Sequence, residues 1–244
     1  MKHYIYICSF VILLAASSCD KLLDKEPTSQ VSPEKYLNDA SQLGYYANGL
    51  YTNILPSHSG YSLTFVKDQY TDNQAYITPN PIYIKDSWTV PANDSWNFKN
   101  IYDCNYFLER VLPRYEKGEV SGSTTEICQY IGEVLFLRAY EYFDLYQNYG
   151  DLPIVTNTLP DDQTVLTEAS KRFPRNEVAR FILSDLDKAL EMMPEQFESR
   201  HTRINRNCVL LLKSRVALYE GTFLKYFKGT AFVPQGEEWP GAQK

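Results

Sequence analysis

The chain has 244 residues, a formal net charge of −6, 44% hydrophobic and 22% charged residues, 11 Gly and 13 Pro, a composition that excludes collagen-like, coiled-coil and low-complexity disordered proteins. A chain of this length buries enough surface for one large helical domain or two small ones without disulfide staples. The excess of 30 acidic over 24 basic residues, with no basic patch, speaks against duplex nucleic acid as a partner. The 20 Tyr, with 12 Phe and 3 Trp, exceed what a core is expected to need, so some rings should face solvent or a ligand.

At the N-terminus, Lys2 and His3 precede an apolar run from Tyr4 to Ala16, short of the roughly 20 residues that span a bilayer but of the length of a signal-peptide core. The run ends Ala16-Ser17-Ser18-Cys19, which resembles a bacterial lipobox. Residues 1–18 are therefore read as a lipoprotein signal and Cys19 as the acylated mature N-terminus. Acyl chains there would hold the protein to a membrane at about 0.8 kcal/mol per buried CH₂. Residues 19–34 are polar, with Pro27 and Pro33, and read as an extended tether. Cys104, Cys128 and Cys208 fall in apolar helical patterns and are expected as buried free thiols, the alternative being one bridge and a spare. No CxxC or Cys/His spacing points to zinc, and no metal or cofactor is expected.

From residue 35 onward the apolar spacing predicts five helices. The first is expected to be capped by Ser32, to carry Pro33 at its first position, and to run through Tyr36, Leu37, Ala40, Leu43, Ala47 and Leu50 to Pro56. From residue 57 to about 91 the period fails, in a stretch with Pro79, Pro81, Pro91 and scattered aromatics, which reads as a long decorated loop. The second helix is placed by Trp96, Ile101, Tyr102, Phe107, Leu108 and Val111 and is expected to stop before Pro113, leaving residues 114–125 as a linker. The third is the clearest: Ile127, Ile131, Val134, Leu135, Ala139, Tyr142, Phe143, Tyr146 and Tyr149 hold the helical rhythm until Gly150. Glu133, Arg138 and Glu141 interrupt it, and Arg138 is expected to pair with Glu133 or Glu141. After a short extended exit, Asp151–Val155, the fourth helix begins near Asn176 and stops at Pro194, with Asp185 and Asp187 on a solvated face. The fifth follows Asn205 and should bury Cys208, Leu211, Leu212, Val216, Tyr219 and Phe223. Short connections between long amphipathic helices favour antiparallel neighbours, so stacked helix pairs are expected, although no fixed repeat period is visible.

Residues 131–155 carry Gly132-Glu133, Phe136-Leu137-Arg138-Ala139, Tyr142-Phe143 and Tyr149-Gly150-Asp151-Leu152-Pro153. This set resembles the signature helix of the SusD/RagB family of Bacteroidota outer-membrane lipoproteins. Arg175 to Pro194, Lys213 to Tyr219, and Cys19 followed by Leu22-Leu23-Asp24 and Pro27 agree with it. The resemblance implies an all-α fold of tetratricopeptide-like helix pairs over residues 35–244, corresponding to the N-terminal half of the longer family members. It also implies a lipid-anchored, outward-facing body on the outer membrane that catalyses nothing. Such a body captures a glycan or peptide for a partner TonB-dependent transporter of the SusC type.

Glycan capture needs flat apolar rings against sugar C–H groups with amides and carboxylates in reach of hydroxyls. Tyr76, Tyr83, Trp88, Asn93 and Asp94 meet that description, with Trp96 divided between ligand and the apolar face of the second helix. The plainer reading is that these rings plug gaps between helices. Two further functions compete: a helical adaptor that docks to a partner without binding ligand, and a glycoside hydrolase using a pair such as Asp72 and Asp94. Only His58 and His201 follow the signal, and no GxSxG, HExxH or phosphate loop is present.

Overall fold

The computed structural model describes residues 36–56, 84–87, 97–197 and 202–233. Among these the fold is all-helical, with isolated bridges in place of strands. Its helices are α1 (Ala40–Ile54), α2 (Lys99–Glu116), α3 (Thr124–Tyr149), α4 (Gln163–Ala169), α5 (Arg175–Met192) and α6 (Arg206–Phe227).

The side-chain contacts give the directions. Tyr46 of α1 hydrogen-bonds the Asp103 carbonyl near the start of α2, while Asn38, just before α1, accepts from Arg114 near the end of α2, so α1 and α2 are antiparallel. In α3 and α5, Arg138 meets Asp185 and the Tyr142 ring meets Phe181 at 4.9 Å, again antiparallel. The third helix of the same sense, α6, runs antiparallel to α5, with Arg206 on the Leu190 carbonyl at one end and Arg175 on Glu220 at the other. Helices α1, α3 and α6 lie parallel to one another: Gly44 sits against Tyr130, and Phe143 against Tyr219. The result is two complete helix pairs and the first helix of a third.

Helix α3 is the centre because its apolar surface goes almost all the way round, and fifteen of its residues, Ile127 to Tyr146, are buried. Ser123 caps it, accepting from Glu126 N–H, and Gly150 ends it at φ 71°, the left-handed region where a Cβ is penalised. Gly132 makes the close approach to α5: a Cβ there would lie 2.5 Å from Met193 Cγ and 3.2 Å from the Ala189 carbonyl oxygen.

Several expectations are corrected. Helix α1 starts at Ala40 with Asp39 as its cap, not at residue 33, because Leu37 takes φ 64° and breaks the helical path while its side chain is buried. Ser32 and Pro33 lie outside the described residues. Helix α2 runs through Pro113 to Glu116: proline costs one backbone donor near the end, and Arg114, bonded to the Tyr36 carbonyl at 3.0 Å and Asn38 Oδ1 at 2.6 Å, holds the last turn against α1. The linker shortens to residues 117–123. Helix α4 was not anticipated; it buries no side chain, so it leaves no apolar period to read. In α6 the buried set is Val209, Leu212, Val216 and Glu220, while Cys208 and Leu211 are exposed and Tyr219 and Phe223 half-buried. The three described thiols are free, but only Cys104 is buried; Cys128 is half-buried beside the Tyr115 hydroxyl.

Candidate functional site

The polar residues inside the signature helix are architectural. Arg138 forks onto Asp185, Nε to Oδ2 at 2.7 Å and Nη2 to Oδ1 at 2.8 Å, while Nη1 donates to Asn105 Oδ1 at 2.8 Å. All three side chains are buried. This overturns the pairing with Glu133 or Glu141 and the solvated face given to Asp185; Asp187, two positions on and on the opposite side of the helix, is the surface member, reaching Lys213. Glu133 is buried as well and is met by Arg203, Nε to Oε1 at 2.7 Å, and by Gln129. Arg175, Tyr146 and Glu220 form a third group, with the guanidinium of Arg175 3.3 Å from the Phe223 ring centroid. A bidentate arginine–carboxylate pair in an apolar seam specifies geometry; with both members enclosed, neither is offered to a ligand.

The cavity lies elsewhere. A cleft of about 460 Å³ opens between the first turns of α2, the extended segment after α3 and the outer helix α4. Phe98, Ile101, Tyr102 and Asn105 form one wall, Pro153, Val155, Asn157 and Leu159 the second, and Leu166, Ala169 and Ser170 the third. These walls are mainly aliphatic and aromatic. The Tyr102 side chain is 47% exposed, although its spacing had placed it on the buried stripe of the second helix. Around it stand Lys99, which pairs with Asp103 at 2.6 Å, the Asn157 amide and the Ser170 hydroxyl.

The extended wall is held in place. Tyr142 OH accepts from Val155 N–H at 2.8 Å, Asn105 Nδ2 donates to the Val155 carbonyl at 2.9 Å, and Thr158 donates through both N–H and hydroxyl to Glu109 Oε2 at 2.9 and 2.6 Å. Those two Thr158 bonds hold the Glu109 carboxyl below its ordinary pKa. Burial pushes the Tyr142 phenol up to about 12, so it stays a neutral donor and acceptor. Among the described residues no group of His, Cys, Asp and Glu is arranged to hold a metal ion, and no helix is long and apolar enough to cross a membrane.

Cys19, Tyr76, Tyr83, Trp88, Asn93, Asp94 and Trp96, together with Asp72, all lie outside the described residues. Phe98, just before α2, is one of the lining residues of the cleft. The cleft residues that sequence reasoning missed are Tyr102, Asn105 and Asn157. Asn105 had a readable signal, since it stands four residues from Ile101 on the buried stripe, where only a bonded polar group is tolerated.

Residues 21–218 match the SusD-like family model described as "Starch-binding associating with outer membrane". The chain belongs to the SusD-like family. SusD-like protein P2 of Formosa agariphila is 25% identical over 97% of this chain and 47% of its own length; SusD-like protein P38 of the same organism is 26% identical over 86% and 42%. A SusD-like protein from Bacteroides fragilis superposes with a TM-score of 0.53 at 25% identity, covering 84% of this chain and 39% of that one. A structure titled a SusD-like carbohydrate-binding protein, also from Bacteroides fragilis, gives 0.56 at 18%, covering 77% and 38%, and shows a shared fold. The chain spans less than half the length of each of these relatives.

Proposed function

We propose that the chain is the carbohydrate-holding, non-catalytic body of a cell-surface lipoprotein, and that it passes an oligosaccharide to a SusC-type TonB-dependent transporter. The observation that carries the reading is the cleft: aliphatic walls, a half-exposed tyrosine and an asparagine amide at the point where the aromatic-rich segment 57–98 rejoins the helices. That surface suits the C–H faces and hydroxyls of a neutral sugar. Tyr76, Tyr83, Trp88, Asn93, Asp94 and Trp96 are proposed as further contacts. The carbohydrate-binding title of one fold neighbour and the starch-binding description of the family agree with this reading.

The test is calorimetric titration of the protein with maltoheptaose and a panel of neutral oligosaccharides and peptides, for the wild type, Tyr102→Ala and Trp88→Ala. Saturable binding weakened by either substitution at unchanged melting temperature supports the reading. A chain that binds none of them is a docking body without ligand affinity, and the appearance of reducing ends makes it a hydrolase.

The anchoring scheme is part of the same proposal: residues 1–18 leave, Cys19 is acylated, residues 20–34 act as the tether, and residues 35–244 form the body. Growth with labelled palmitate should mark the wild type and leave Cys19→Ala unmarked and in the soluble fraction. Equal label in both would remove the anchor.

A further inference from the structure

Helix α4 is held differently from the other helices. Among the described residues it buries no side chain and packs against none of the other five, yet it stands across the cleft from the first turns of α2. Its hydrogen bonds close on themselves. Asp162 caps it by accepting from Val165 N–H at 3.0 Å, the Thr167 hydroxyl donates to the Gln163 carbonyl at 2.7 Å, Ser170 N–H bonds the Leu166 carbonyl at 3.0 Å, and Lys171 pairs with Glu168. Among the described residues, no hydrogen bond ties residues 159–171 to the helices around them.

The fixed points are at the ends. Thr158 donates twice to Glu109 of α2, and Phe173 N–H bonds the Leu152 carbonyl at 2.9 Å. Residues 159–172 are thus a strap fastened at both ends and loose between them. A seven-residue helix is marginal in water on its own, and a segment without buried contacts belongs to the part of a fold that opens most easily.

The strap turns a particular face to the cleft. Leu166, Ala169 and Ser170, three and four apart, line it together, and Leu166 is 42% exposed. Across the gap stands the half-exposed ring of Tyr102. Two apolar surfaces therefore border one water-filled space, and bringing them together is favoured by the area it removes from water. No packed contact between α4 and another helix has to break for that to happen.

We propose that residues 159–172 are a lid, hinged at Thr158 and Phe173, which swings α4 toward α2 and closes Leu166 over a molecule lying against Tyr102. That this molecule is an oligosaccharide rests on the reading of the cleft given above; the motion itself does not.

A disulfide trap tests the lid. No Cα of α2 lies within 8 Å of any Cα of α4, and a disulfide needs about 4.4–6.8 Å, so Lys99→Cys combined with Leu166→Cys can be joined only if the lid moves. The control is Lys99→Cys combined with Leu211→Cys, an exposed position on α6, which α2 does not touch either. Both variants are oxidised with oxidised glutathione and the bridges mapped by peptide mass spectrometry. The first pair is expected to bridge at least about tenfold faster than the control, since the lid opens and closes without the body unfolding. Once bridged, it should no longer bind maltoheptaose in a calorimetric titration, and reduction should restore binding. Equal bridging in the two pairs, no bridging in either, or unchanged maltoheptaose affinity in the bridged form overturns the lid. A reduced protein that does not bind maltoheptaose counts against the oligosaccharide reading alone, and the bridging rates then decide the lid by themselves.

Discussion

The α3–α5 seam and the cleft beside α2 are both rich in aromatic and polar residues, yet they differ in one physical respect. In the seam every prominent polar group is enclosed and answered: Arg138 by Asp185 and Asn105, Tyr142 by the Val155 backbone. In the cleft, Tyr102 and Asn157 reach solvent with apolar surface around them. The lesson is that the most distinctive residues of the chain are its scaffold, and the residues suited to a ligand are unremarkable in sequence.

Substitutions should separate the two regions by kind as well as by size. The largest effect is expected for Asp185→Ala, which leaves the Arg138 guanidinium buried and uncompensated: a loss of about 3–5 kcal/mol, seen as a fall in melting temperature of roughly 10 °C. Replacing Arg138 and Asp185 together by leucine should recover a good part of it; no recovery would mean that the pair is not the source of the loss.

Alkaline titration comes next. Burial raises the phenols of Tyr46, Tyr51, Tyr142 and Tyr146, Tyr142 to about 12, so the folded state holds these protons more tightly than the unfolded chain, whose tyrosines ionise near 10. The stability they contribute is complete below about pH 10 and disappears as pH rises through the folded values. Circular dichroism against pH should therefore show unfolding above about pH 10, accompanied by late phenolate absorbance.

Gly132→Ala should cost about 1–3 kcal/mol, because the added methyl meets Met193 and the Ala189 carbonyl, and denaturant titration would reveal an unchanged slope with a lower midpoint. Tyr102→Ala inverts the pattern: a melting temperature within about 2 °C of wild type, with affinity for a bound oligosaccharide reduced about tenfold, or 1.4 kcal/mol. A large stability loss there would erase the distinction between seam and cleft.

The smallest effect is expected for Glu141→Gln. Burial raises the Glu141 pKa, so its charge is disfavoured by folding; the handicap is present at neutral pH and fades as pH falls through the folded value. The variant should melt slightly higher than wild type at pH 7, by about 2 °C or less, with the difference vanishing in acid.

The legible parts of the fold were those with strong periods. The third expected helix with its stop at Gly150, and the fourth, expected from near Asn176 to Pro194 and found at Arg175–Met192, stand where the apolar spacing and its breakers put them. Arg138 was misread because its carboxylate is 47 residues away, and local spacing reports only neighbours on the same helix. Asp185 and Asp187 look alike in sequence, though side chains two apart on a helix point to opposite sides, and one is in the core while the other meets solvent. The phase of α6 was ambiguous because Leu210, Leu211 and Leu212 are consecutive; only Leu212 turns inward. The cleft itself has no signature: its walls come from two separate stretches of the chain, 98–105 and 153–170, the second including a seven-residue helix with no buried face.

Asn105 joins the two regions. Its side-chain oxygen accepts a hydrogen bond from Arg138, and its amide nitrogen donates to the Val155 and Asn157 carbonyls of the cleft wall at 2.9 and 3.4 Å. A visitor to the cleft thus meets a floor already stiffened from beneath, so little freedom has to be frozen out when it settles, and weak contacts can suffice to retain it.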